Sequence, residues 1–252
     1  IASFNVENLF ARPKAMDSLE ADPATRKTIL GAHARVAELF AGVGGFHAAL
    51  TDLGGRAVQA CEIDPKPAAI YEHNWGLKPE KDVRDLAKRA DSVPEHSVLA
   101  GGFPCQPFSK SGRQLGIAED RGTLFKDILT ILEAKKPPVV MLENVRNLAG
   151  PRQRTAWNLI LHGLREAGYR VGDEPTVFSP HLLSRESGGA PQVRDRVYIL
   201  GVWVGRKRAM TETKLDPVVP RVVESGWDVS NWSIESDVLL PEATGTERQS
   251  YA

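Results

Sequence analysis

Gly101-Gly102-Phe103-Pro104-Cys105-Gln106-Pro107-Phe108-Ser109 is the stretch from which the rest of the chain can be read. It follows a short apolar run, Ser97 to Ala100, that predicts a buried strand. Two glycines close the strand, and Pro104 and Pro107 then bracket a cysteine. Proline fixes φ and pushes the residue before it out of the helical region, so Cys105 is expected on a stiff, non-helical loop. A thiol held just past the carboxyl end of a strand lies where a doubly wound α/β sheet gathers its chemistry.

The segments upstream fit that architecture. Arg35-Val-Ala-Glu-Leu-Phe40-Ala-Gly42-Val-Gly44-Gly45-Phe46 reads as a strand that breaks into a glycine turn, followed by a helix to about Leu53. Glycines there let the backbone bend sharply and approach a ligand closely. The spacing Gly-x-Gly-Gly is not the dinucleotide fingerprint Gly-x-Gly-x-x-Gly. Ala57 to Asp64 reads as a second strand ending in acids. An acid in that position typically bonds ribose hydroxyls, and Glu62 is the candidate. Asp64, before Pro65, is expected to cap a helix from Lys66 to Asn74. Cys61 is expected in the core.

Downstream, Ser111 to Thr123 is rich in glycine and charge and has no apolar period, which predicts a loop. Leu124 to Lys135 has helical period and stops at Pro137-Pro138; Val139 to Leu142 is a further buried strand, ending in Glu143-Asn144-Val145. Arg152 to Gly168 is an amphipathic helix and Tyr169 to Phe178 a strand. Gln192-Val-Arg194-Asp195-Arg196 opens the next strand, to Gly201, and alternation would put Gln192, Arg194 and Arg196 on one face.

Taken in this order, the strings from Glu38 to Gly201 resemble the DNA cytosine-5 methyltransferases. The loop at Cys105, the Glu-Asn-Val at Glu143 and the Gln-x-Arg-x-Arg at Gln192 are the specific part of the match. The resemblance implies a Rossmann-like fold that binds S-adenosyl-L-methionine and methylates cytosine in double-stranded DNA. It implies that Phe40, Gly42, Gly44, Gly45, Glu62, Ile63, Asp82, Val83 and Pro104 hold the cofactor. Phe40 and Ile63 would lie against the adenine, and Asp82 would accept from its amino group. Cys105, Glu143, Arg194 and Arg196 would be catalytic. Gln106, Ser109, Arg121 and Gln192 would meet DNA, with the loop from Phe108 to Thr123 closing over it.

The residue types suit that chemistry. Cytosine C5 is a poor nucleophile until a thiolate adds at C6, and nearby positive charge favours the thiolate. A buried carboxyl with a raised pKa can supply a proton to the ring at N3. Attack on a ring face covered by stacking requires a flipped base.

Composition sets wider bounds. The 252 residues are 42% hydrophobic and 25% charged, ordinary for a globular protein. Lys+Arg and Asp+Glu are both 32, so net charge decides nothing about nucleic acid. Two cysteines give no disulfide framework, which fits a reducing cytoplasm. No apolar run approaches the ~20 residues a membrane span needs. Six scattered histidines lack ligand spacing, so no metal is expected.

The ends read differently. Ile1-Ala-Ser-Phe-Asn5-Val-Glu7-Asn8-Leu-Phe10 resembles the opening strand of the endonuclease/exonuclease/phosphatase family, but that family's later acid and histidine motifs are missing. Residues 1–31 are therefore read as a leader or linker, 32–204 as the catalytic domain, and 205–252 as a tail that starts a target-recognition region. The family's last motifs are not found after Gly201. Poor methylation by this chain alone is the expectation, with a second subunit carrying the remainder as one reading and tRNA as an alternative substrate.

Overall fold

The computed structural model describes residues 34–52, 54–104, 123–182 and 190–212. Cys105, Gln106, Ser109 and Arg121 lie outside these residues, as do residues 1–31 and most of the tail.

The described residues form a seven-stranded sheet. Its strands are β1 (Arg35–Leu39), β2 (Arg56–Cys61), β3 (Val98–Gly102), β4 (Val139–Val145), β5 (Tyr169–Val171), β6 (Thr176–Phe178) and β7 (Arg196–Trp203). The order across the sheet is β2-β1-β3-β4-β7-β5, with β6 also paired to β7. β1 to β4 are parallel, and β7 runs antiparallel to β4, β5 and β6. The helices are α1 (Gly45–Asp52), α2 (Pro65–Trp75), α3 (Val83–Lys88), α4 (Thr123–Lys135), α5 (Arg154–Glu166) and α6 (Arg206–Thr211).

The parallel strands read as unbroken apolar runs because both faces are covered. Residues of β4 alternate between two cores. Val140 and Leu142 join Leu39, Leu99 and the buried sides of α3, α4 and α5. Val139 and Met141 join Val36, Val98, Ala100 and α1. On α5, Ala156, Trp157, Ile160, Leu161 and Leu164 are buried, the stripe expected of a helix lying on a sheet. The sheet is thus doubly wound, as the sequence implied. Cys61 is core, 3% exposed, and burial pushes its thiol up to about 12.

Strand order reverses between β1 and β3, because β1 leads outward to β2 while β3 leads the other way to β4. The crevice outside the carboxyl ends of the strands at such a reversal is where open α/β sheets bind ligands. Both stretches that the sequence singles out, the turn after β1 and the loop after β3, leave the sheet there.

Three elements differ from expectation. Tyr169 to Phe178 is two short strands, since the intervening segment ends in Pro175, which lacks the amide a ladder needs. Gln192 to Asp195 precede β7 rather than opening it, so strand alternation does not set their faces. Residues just past Trp203, without visible period in the sequence, form α6 against α5 and β5.

Candidate active site

The turn after β1 is tightly specified. Phe40 has a left-handed φ of 55°, Gly42 one of 54° and Gly44 one of 95°. A non-glycine residue in that region costs roughly 1–2 kcal/mol, and such strain concentrates at functional sites. A Cβ at Gly42 or Gly45 would meet nothing within 4 Å, so one side of the turn is open. The other side is closed: a Cβ at Gly44 would lie 2.2 Å from Nε1 of Trp75.

Glu62, at the end of β2, reaches across to this turn. Its carboxylate accepts from the Gly42 amide at 2.7 Å and from the Asp64 amide at 2.9 Å. Each oxygen keeps capacity for a further donor. Ile63 beside it is 64% exposed, a large apolar side chain left facing outward. Asp64 caps α2 by accepting from the Lys66 amide. The segment leading to Asp82 is pinned along the same edge, because Glu80 exchanges backbone hydrogen bonds with Ala60 and Glu62.

Asp82 caps α3 by accepting from the Arg84 amide, and its carboxylate also pairs with the Arg84 guanidinium at 2.6 Å. Those bonds hold its pKa below the usual carboxylate range. Val83 is 4% exposed, so its side chain belongs to the core rather than to the open crevice.

On the other side of the reversal, β3 delivers Phe103 and Pro104. Phe103 is buried against Phe125 of α4, and Pro104 is exposed. Asn144 of β4 is 3% exposed and donates to the Phe103 carbonyl at 2.7 Å. It therefore anchors the backbone that leads into Pro104 and Cys105.

Glu143 neighbours Gly102 in the ladder, and a Cβ on Gly102 would come within 3.2 Å of Glu143 Oε2. Glycine at that position leaves room for the carboxyl. Arg196 pairs with Glu143, Nε to Oε1, at 2.7 Å. Burial raises the Glu143 pKa, outweighing the opposing pull of Arg196 and Arg194. Arg194 is itself exposed, and its backbone amide is gripped by the hydroxyl of Ser179, a residue with no exposed surface. Gln192 is also exposed, its carbonyl accepting weakly from the His181 amide. Arg146, just past β4, pairs with Asp195 at 2.7 Å and ties the end of β4 to the segment before β7.

Of the residues read from the sequence, the structure thus gathers Phe40, Gly42, Gly44, Gly45, Glu62, Ile63 and Asp82 on one side of the reversal, and Pro104, Glu143, Arg194 and Arg196 on the other. Asn144 and Ser179 were not assigned roles from sequence. Their partners lie 41 and 15 residues away, and only an Asn beside a strand-end acid hinted at the first.

The open glycine turn and the Glu143–Arg196 pair thus sit at carboxyl ends of strands on either side of the reversal. Residues 34–231 match the C-5 cytosine-specific DNA methylase family, and the chain belongs to it. It is 46% identical over 215 residues to the Type II methyltransferase M.AluI of Cellulosimicrobium cellulans, covering 83% of this chain and 39% of that protein. It is 39% identical over 166 residues to the Type II methyltransferase M.HhaI of Haemophilus parahaemolyticus, covering 66% of this chain and 48% of that one. The structure of the S. pombe Dnmt2 methyltransferase superposes with a TM-score of 0.52 at 27% identity, over 68% of this chain and 51% of that chain. The chain therefore spans less than half the length of the two curated relatives. Among the described residues no helix is long and apolar enough to cross a membrane.

Proposed function

We propose that this chain binds S-adenosyl-L-methionine and directs methyl transfer to C5 of cytosine in DNA through Cys105. The observation that carries the reading is the Glu143–Arg196 pair at the end of β4, beside the strand that precedes Cys105 in the sequence and across the sheet's reversal from the open turn. Family membership supports cytosine C5 as the acceptor and DNA as its setting.

The cofactor fits the residues present. Gly42 and Gly45 leave an open cradle, Ile63 offers exposed apolar surface to an adenine, and Glu62 can accept from ribose hydroxyls while keeping the Gly42 amide. The cofactor supplies an electrophilic methyl group. The remaining work belongs to side chains. The Cys105 thiolate forms a bond to C6 of a flipped cytosine, and the ring electrons move toward C5. Glu143 in its protonated form donates at N3, which relieves the charge on the ring. Arg196 orients Glu143, and Arg194 adds positive charge that favours the thiolate. Once the methyl group has passed to C5, which would leave the donor as its neutral thioether, N3 returns its proton to Glu143, a base takes the C5 proton, the C6–S bond breaks and the thiolate leaves. No side chain is assigned to that last proton.

The test is incubation of the chain with S-adenosyl-L-methionine carrying a labelled methyl group and either mixed-sequence duplex DNA or tRNA. Label at C5 of cytosine in the duplex, low in amount for this chain alone but in preference to tRNA, is the expected result. Label confined to tRNA, or on the exocyclic amine of cytosine, would contradict the reading.

A further inference from the structure

Four side chains outside the proposed chemistry surround the closed side of the cofactor turn. Trp75, the last residue of α2, donates its indole N–H to the Val43 carbonyl at 3.0 Å, tying the middle of the turn to the helix. The same indole stacks on the His47 ring, with centroids 4.3 Å apart and planes 20° from parallel. His47 Nδ1 is 2.7 Å from the Tyr71 hydroxyl, one helical turn before Trp75. Tyr71 has no exposed surface, and its hydroxyl lies near enough to the Glu38 carboxyl to feel its charge. Glu38, 1% exposed near the end of β1, accepts from the Phe46 and His47 amides at 3.0 and 3.1 Å. The path from Val43 through Trp75, His47, Tyr71 and Glu38 returns to the start of α1, so it brackets Gly44 and Gly45 from behind.

The arrangement is one-sided. The indole fills the space behind Gly44, whereas nothing approaches the outward sides of Gly42 and Gly45. Glu38 also occupies two of the first amides of α1, so these are not available to a ligand. What a ligand meets is the turn itself, in a shape set from behind by α2.

We infer that Trp75 and Tyr71, acting through His47 and Glu38, are positioning residues for the cofactor: they hold the glycine turn in the open shape that receives it. The inference rests on the cofactor reading above. It assigns α2 a role that its local sequence does not display, because the helix touches the turn with its buried side only.

A purely structural role would cost stability and leave affinity alone, so the two must be measured together. The probes are S-adenosyl-L-methionine and S-adenosylhomocysteine, titrated calorimetrically into the full 252-residue chain, with a urea midpoint for each variant. Trp75→Leu removes both the N–H and the stack and should weaken both ligands by about tenfold. Trp75→Phe keeps a stacking ring and should recover part of that loss. Tyr71→Phe, which removes only the hydroxyl, should weaken binding by about threefold. Ile131→Val, in the core under α4 and away from the turn, should lower the midpoint with affinity unchanged. Variants at Trp75 and Tyr71 that bind as wild type does, or an equal loss of affinity in Ile131→Val, would overturn the inference alone. A flat titration of the wild-type chain would overturn the cofactor reading and this inference with it.

Discussion

Glu143 faces two opposing demands, and their balance decides what it can do. Arg196 at 2.7 Å favours the carboxylate, while burial favours the neutral acid and prevails. A carboxyl that keeps its proton further up the pH scale is suited to donate it. Turnover that depends on this proton should be full below the raised pKa and fall as pH climbs through it. Glu143→Gln keeps the shape but has no proton to transfer, so turnover should drop ~10²–10⁴-fold and the alkaline fall should disappear. Cofactor affinity, measured alongside, should stay near wild type. Glu38 gives a stability counterpart. Burial pushes it to about 8 from 4.5, so its neutral form suits the fold. Its contribution is complete below about 4.5, where the unfolded chain also holds the proton, and is lost as pH rises through about 8. Glu38→Gln should flatten the decline of the urea midpoint across that window; an unchanged slope would show that other groups govern it.

At the scale of elements, the reversal between β1 and β3 makes the site, and its strands must lie close. A Cβ on Gly101 would come within 2.9 Å of the Leu39 carbonyl oxygen, its partner in the ladder. Backbone cannot rotate away as a side chain can, so Gly101→Ala should cost about 1–3 kcal/mol by overpacking, read from urea unfolding. An unaffected midpoint would mean that the strands separate more easily than their register implies. This edge was largely legible in the sequence because its signals are local. Apolar runs ended in Gly42, Gly102 and Glu143, and Asp64 stood directly before a proline. What was hidden depends on contacts distant in sequence. Trp75 meets Val43 across 32 residues, and Asn144 meets Phe103 across 41. Nothing local announces that β7 enters antiparallel between β4 and β5, since pairing direction is set by the chain's return path. The alternation expected for Gln192, Arg194 and Arg196 did not apply because Ser179 holds Arg194 before the strand begins.

Across the whole molecule, the sheet separates two tasks. The ends of β1 and β2, with the turn and Glu62, form the proposed cofactor cradle, while the ends of β3, β4 and β7 carry the groups proposed to act on the base. Residues of the two cores interleave along each central strand, so the edges are fixed relative to one another by buried side chains on both faces. The central claim is that these edges cooperate through a covalent bond from Cys105 to cytosine C6. The most direct measurement uses a duplex whose cytosines carry fluorine at C5, incubated with the chain and S-adenosyl-L-methionine and read by intact mass. Fluorine cannot leave as a proton does, so the last step is blocked and the bond should persist. A protein–oligonucleotide adduct that maps to Cys105, and is absent from Cys105→Ser, is the expected result. Bound duplex and transferred methyl group with no adduct would contradict the covalent route.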